Sequence, residues 1–245
     1  MTPTLSVAMI AHNEEKNLAR SLASVAWADE TVFVDCASTD GTALAARDFR
    51  IKYFNRPNSR AVYVNKQFAV DQAASDWVLI LDADEEVSPA LHAAIKRAIS
   101  APGGASAFTM PRRNFYFGRW LRHGGKYPDT QLRLFKRGFA RFLPLPVHER
   151  LEVNGSIGAL AEPLNHYPYA DAADMEKKLD FYSEILARSY SLKGRSRTFI
   201  LLRPFTRFLS AYLLKLGFLD GAEGLKTAVM DFRTVLASAL RYRKG

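Results

Sequence analysis

The chain has 245 residues, 48% of them hydrophobic and 24% charged, which excludes disordered, collagen-like and low-complexity classes and allows one sizeable domain with or without a small appendage. Its single cysteine, Cys36, excludes an internal disulfide framework and a multi-cysteine zinc module, and points to a reducing compartment. The net charge of +9 suits nucleic acid, anionic lipid or phosphorylated substrates as well as it suits a merely basic surface.

The opening MTPTLSVAMIAHNEE lacks the basic start and long apolar run of a signal peptide, and Leu5–Ile10 reads as a first strand. A helix through about Val25 follows, with Leu18, Leu22 and Val25 on one face. Thr31–Val34 is a second strand ending at Asp35, and Ser38-Thr39-Asp40-Gly41-Thr42 supplies turn and N-cap chemistry for an Ala-rich helix. Ile51–Phe54 predicts a third strand, Lys66–Ala74 a helix, and Val78–Leu81 a fourth strand that stops at Asp82. Ser88 caps a helix that starts with Pro89. This alternation predicts an α/β fold with a mainly parallel Rossmann-type sheet flanked by helices. Residues 103–170 are rich in Gly, Pro, aromatics and Arg, with short strands predicted at Ala107–Pro111, Gln131–Lys136 and Gly158–Leu160. From about Ala172 the pattern is helical to the end, so a division into 1–170 and a helical extension over 171–245 is expected.

Ligands of such sheets bind at the carboxyl ends of the strands, where Asp35 and Asp82 fall. Asp82-Ala83-Asp84-Glu85-Glu86 follows an apolar strand directly. Asp82 and Asp84 can converge on Mg²⁺ or Mn²⁺, ions that commonly bridge to phosphates. The other reading is that these acids serve the dipole of the helix at Ser88, and for Glu86 that reading is preferred. Asp35 is either a contact to a base or ribose or a turn-forming residue.

The order of His12-Asn13-Glu14, Val34-Asp35-Cys36-Ala37-Ser38-Thr39-Asp40-Gly41-Thr42 and Asp76–Glu85 resembles the family 2 glycosyltransferases of GT-A fold. Asp129-Thr130-Gln131-Leu132-Arg133-Leu134-Phe135, Val147-His148-Glu149, His166-Tyr167 and Leu216-Gly217-Phe218-Leu219-Asp220-Gly221 are similar to motifs of the subgroup that includes the lipopolysaccharide-core β-1,4-glucosyltransferases. The resemblance covers nearly the whole chain. It implies an inverting, metal-dependent transfer of a hexose from a nucleotide diphosphate sugar, UDP-linked, to a hydroxyl of a lipid-linked glycan such as lipopolysaccharide core.

On that resemblance Asp84 binds Mn²⁺ or Mg²⁺, Asp82 contacts the ribose or assists the metal, and Glu14 and Asp35 contact the nucleoside. His166 is either a further metal ligand or a structural histidine packed among Tyr167 and Tyr169. Glu149, in the proline-stiffened Pro144-Leu145-Pro146-Val147-His148-Glu149, is the expected base, with Asp129 as competitor and His148 as a weaker one. Pattern alone reads Glu149 as a surface partner of Arg150. Residues 112–141 carry nine basic side chains and one acid, Asp129. Arg112, Arg113, Arg133 and Lys136 either bind phosphates or form a solvated basic face, and Lys66 is a further diphosphate candidate.

Residues 185–219 hold seven basic residues and no acid. Within them Thr198–Leu219 places Arg203, Arg207 and Lys215 in one sector of a largely apolar helix, with Pro204 starting or kinking it. No run of 18 apolar residues is free of charge, so the segment reads as a basic interfacial anchor on an anionic inner-leaflet surface, or as a helix packed on the domain with its arginines in water. The corresponding location is cytoplasmic, at the inner face of the cytoplasmic membrane. Two rival classes are a metal-dependent nucleotidyltransferase, which would want a Gly-rich basic N-terminal loop, and a non-catalytic membrane- or nucleic-acid-binding protein. The acids at strand ends would repel nucleic acid, so no nucleic-acid partner is expected.

Overall fold

A computed structural model describes residues 2–59, 61–101, 104–144, 150–169 and 171–242, without the side chain of residue 172. The elements run β1 (Leu5–Ala11), α1 (Glu15–Ser24), β2 (Glu30–Asp35), α2 (Thr42–Ala46), β3 (Lys52–Asn55), α3 (Val62–Asp71), β4 (Trp77–Asp82), β5 (Glu85–Glu86) and α4 (Pro89–Ser100). Then come β6 (Ala107–Met110), β7 (Arg112–Tyr116), β8 (Arg119–Trp120), β9 (Gln131–Lys136), β10 (Ala140–Leu143), β11 (Arg150–Val153), β12 (Ile157–Ala159) and β13 (Leu164–His166). The chain closes with α5 (Ala172–Leu192), α6 (Arg197–Leu209), a π-helical turn over Ser210–Leu214, a 3₁₀ turn over Gly217–Asp220 and α7 (Gly221–Arg241). These residues form two compact units, one of 1–112 and 130–166, the other of 113–129 and 167–245.

The first unit is built on a seven-stranded sheet of order β12-β6-β9-β4-β1-β2-β3. β3, β2, β1 and β4 are parallel neighbours, and β9 runs antiparallel to both β4 and β6. Both faces of the central strands are buried, which is why they read as unbroken apolar runs. The period of two sorts β4 between the faces. Trp77, Leu79 and Leu81 pack with Leu18 and Leu22 of α1 and Leu91 and Ile95 of α4, while Val78 and Ile80 pack with Ala69 and Val70 of α3. Ser88 Oγ accepts from the Leu91 N–H at 3.2 Å with Pro89 in the first turn, as the sequence predicts. α3 starts four residues earlier than expected, at Val62, and ends three earlier, at Asp71. Strand order reverses between β1 and β4, the point where a doubly wound sheet opens a crevice at its carboxyl edge.

The second unit is a β7–β8 hairpin with α5, α6 and α7. Close backbone approach governs it. A Cβ on Gly224 would collide with the Gly217 carbonyl oxygen, and one on Gly217 would stand 2.7 Å from that of Ala211. The buried Asp220 accepts from the His123 N–H at 2.8 Å and lies 3.0 Å from its Nδ1. The Leu216–Gly221 motif is therefore a packing corner. Pro204 lies inside α6, which begins seven residues earlier at Arg197 under the Ser196 cap. Among the described residues no helix is long and apolar enough to cross a membrane.

Candidate active site

Three strand ends meet at the crevice. Ala11 stands beside Asp35 of β2 and Ile10 beside Asp82 of β4, so the two aspartates flank the end of β1. At a strand spacing of about 4.8 Å their backbones are roughly 10 Å apart. The loops that follow β1 and β2 are laced together. Asn13, at a φ of 58°, donates from its N–H to Ser38 Oγ at 3.0 Å and accepts from the Thr39 N–H at 2.8 Å. Glu15 Oε2 accepts from the Gly41 N–H at 2.7 Å, and a Cβ on Gly41 would meet that oxygen. Glu14 donates its N–H to Thr42 Oγ1 at 2.8 Å and accepts from Asn17 Nδ2 at 2.8 Å. The Ser-Thr-Asp-Gly-Thr run thus holds Glu14 at the rim, a role its turn chemistry alone did not reveal.

Asp35 is 1% exposed, accepting from the Ser38 N–H at 2.9 Å and from the Tyr53 hydroxyl at 2.8 Å. Burial, that hydrogen bond and the Asp35 charge push the Tyr53 phenol up to about 12. Sequence reasoning missed Tyr53, whose only signal was its place on the neighbouring strand.

The acidic strand end divides into two roles. Asp82 Oδ1 lies 2.9 Å from Lys66 Nζ and its Oδ2 lies 2.5 Å from Arg133 Nη2. Glu85 is fully buried, with its Oε1 2.6 Å from Arg133 Nη2 and 3.2 Å from Arg112 Nη1, and its Oε2 accepts from the Asp82 N–H at 3.0 Å. Burial alone would raise the Asp82 carboxyl, but Arg133 and Lys66 together hold it well below the usual carboxylate range. Burial likewise opposes the Arg133 charge, and Asp82 and Glu85 more than restore it. Glu85 is the anchor of this network, whereas the sequence offered it only as one of the acids before the helix at Ser88.

Asp84 points elsewhere. β5 pairs antiparallel with β13, putting His166 opposite Glu85 and Asn165 opposite Glu86. That register carries His166 to Asp84, with Nε2 3.4 Å from Oδ2. Neighbouring ligands of an octahedral ion at about 2.1 Å stand roughly 3 Å apart, so the spacing of this carboxylate and imidazole is compatible with the two of them holding a divalent cation. No cluster of three His, Cys, Asp or Glu side chains is placed for a metal among the described residues. Asp82 is turned to its two cations.

The other candidates disperse. Lys136 pairs with Trp77 at the amino end of β4, about 17 Å of strand from Asp82, and its Nζ lies 5.6 Å from the Trp77 ring, which removes it from any phosphate site here. Arg113 lies over the Trp120 ring at 4.4 Å in the second unit. Asp129 also belongs to that unit, where Asn114 Nδ2 lies 3.3 Å from its Oδ2. Tyr167 stacks on Phe115 and Tyr169 meets Tyr116 edge-on in the same unit. Glu149 and His148 lie outside the described residues.

A mainly parallel, doubly wound sheet with an Asp-X-Asp at its switch point defines a GT-A glycosyltransferase domain. Solved structures share that fold. A Pyrobaculum calidifontis mannosyltransferase in complex with GDP-Man and Mn²⁺ matches with a TM-score of 0.57 at 15% identity, over 98% of this chain and 87% of that one. Staphylococcus aureus TarS 1–349 in complex with UDP-GlcNAc matches at 0.51 and 16%, over 97% and 91%. The glycosyl transferase family 2 model matches residues 6–155, and the chain belongs to that family. It is similar to the lipopolysaccharide core biosynthesis glycosyltransferase LpsC of Rhizobium meliloti (strain 1021), 28% identical over 94% of this chain and 90% of that protein. It is also similar to an uncharacterized glycosyltransferase of Rickettsia typhi, 27% identical over 92% and 82%.

Proposed function

We propose that this glycosyltransferase moves a hexose from a UDP-sugar to a hydroxyl of a lipid-linked glycan of the lipopolysaccharide-core kind, with inversion at the anomeric carbon. The carrying observation is the approach of His166 to Asp84 beside an Asp82 already neutralised by Lys66 and Arg133. Asp84 and His166 hold Mn²⁺ or Mg²⁺, which when bound supplies positive charge to the leaving diphosphate. Asp35 and Glu14 contact the nucleoside, Asp82 the ribose. Lys66 and Arg133, which pair with Asp82 in the free protein, take diphosphate oxygens in part exchange for that carboxylate.

Glu149 takes the acceptor proton. As the acceptor oxygen bonds to the anomeric carbon, the bond from that carbon to the diphosphate oxygen breaks, UDP departs with the electron pair, and the proton passes to the carboxylate. The lipid-linked acceptor puts the enzyme at the inner face of the cytoplasmic membrane through residues 185–219. The similarity to LpsC supports the acceptor class.

Glu149→Gln keeps the side-chain shape but cannot take the proton. It is expected to retain UDP-sugar binding and lose about 10²-fold or more in transfer. If transfer persists and Asp129→Asn is inactive instead, Asp129 is the base. The anomeric configuration of the product, read by NMR, tests inversion, and a retained configuration contradicts it.

A further inference from the structure

The second unit carries many of its large apolar residues on the outside. On α6, Leu201, Phe205 and Leu209 recur every four residues and are 64%, 58% and 49% exposed, with Leu202 beside them. The opposite side of α6, Ile200 and Pro204, is buried. The helix is thus apolar on its packed face and on its outer face. α7 repeats the pattern with Leu225, Val229, Leu236 and Leu240 exposed. Phe205 and Phe232 meet edge-on at 5.4 Å between ring centroids, which joins the two rows into one surface. Each row runs about 12–22 Å along its helix.

The charges sort in the reverse sense. Arg207 Nη2 lies 2.9 Å from Asp231 Oδ2, and Lys126 Nζ lies 2.9 Å from Asp231 Oδ1, so the acid of α7 is neutralised within the unit. Glu223 is met by Arg119 and Lys226. Lys193, Arg195, Arg197 and Arg203 enter no ion pair among the described residues. An outer face of leucines with unneutralised cations beside its leading end matches a bilayer whose headgroups are anionic. A two-fold pairing of this face with a second copy would bring the same cations together.

We infer that the joined apolar face of α6 and α7 is what enters the membrane, lying in the interface plane, with Lys193, Arg195 and Arg197 on the headgroups. The inference rests on the proposal that the enzyme works at a membrane, and replaces a basic helix face with an apolar helix pair as the inserting element. The full chain is tested by flotation with vesicles of phosphatidylglycerol and phosphatidylcholine, and of phosphatidylcholine alone. Leu201→Gln/Leu209→Gln is expected to weaken binding tenfold or more and to abolish the salt-resistant part, while Lys193→Gln/Arg195→Gln/Arg197→Gln removes the preference for phosphatidylglycerol. Transfer to a water-soluble acceptor stays unchanged in both. Phe205→Trp, a conservative variant, should shift its emission to the blue with vesicles.

If the wild type floats but the leucine variant floats equally well and the emission of the Phe205→Trp variant does not move, the apolar face is not the inserting element and membrane attachment stands without it. If the wild type ignores anionic vesicles at low salt, both fail. A lipid-free dimer that Leu201→Gln/Leu209→Gln turns into monomer assigns the face to a second copy and overturns the inference.

Discussion

The two units use the same kinds of residue in opposite ways. In the first, the leucines of β1, β4 and α4 are fully buried and charge gathers at the strand ends, where Glu85, Arg133 and Asp82 share one network. In the second, a smaller apolar set, Leu121, Tyr190, Ile200, Met230 and Val235, shares the inside with glycine, alanine and paired acids, while leucines of α6 and α7 stand outside. A hydrophobic fraction therefore says little about where the apolar surface will face. The first unit uses it for a rigid frame around a charged site, and the second leaves it available for contact.

The sharpest way to break this contrast is to remove a single charge from the first unit. Glu85→Ala leaves Arg133 with one fewer buried partner, and a loss of about 3–5 kcal/mol in stability is expected. Chemical denaturation measures it, and a loss under about 1 kcal/mol, the scale of an exposed pair, would mean that the network is not the frame. In the second unit the equivalent weak point is a backbone. Gly224→Ala forces a methyl onto the Gly217 carbonyl and should cost about 1–3 kcal/mol. Leu209→Gln on the outer face of the same unit should change stability by no more than about 0.5 kcal/mol. If those two variants lose equally, α6 is not outward-facing in solution.

A smaller effect concerns Asp35. The Tyr53 phenol is raised from 10.0 to about 12, so the folded state favours its neutral form. Its contribution to stability is full below pH 10 and is lost as pH rises towards 12. Subtracting the phenolate absorbance titration of Tyr53→Phe from that of the wild type should reveal one late phenol. A midpoint near the ordinary value of about 10 would show that the Asp35 contact is not kept.

Much of the first unit was legible because parallel strands buried on both faces leave an unmistakable record, as in Val78-Leu79-Ile80-Leu81, and because Asp35 and Asp82 each close such a run. The antiparallel β9 was readable as a strand but not in its direction, since Gln131–Lys136 carries no signal for its neighbours. Of the two readings open for Lys136, phosphate binder or basic surface, the choice depended on that direction, which puts it beside Trp77 at the far end of β4 from Asp82. The pairing of His166 with Asp84 depends on a two-residue strand, β5, too short to leave any periodicity. The outward leucines of α6 were visible as an apolar stretch. That Arg207 turns to Asp231, 24 residues away, rests on helix packing that no local pattern encodes.

Donor binding is expected to depend on a divalent cation held by Asp84 and His166. Calorimetric titration of UDP-glucose, with and without Mn²⁺, into the wild type, Asp84→Ala and His166→Ala addresses it directly. Mn²⁺-dependent binding by the wild type is expected, with its loss in Asp84→Ala, a weakening in His166→Ala of about tenfold or more, and unchanged folding in both. Wild-type affinity in Asp84→Ala, or donor binding by the wild type that is indifferent to Mn²⁺, would contradict it.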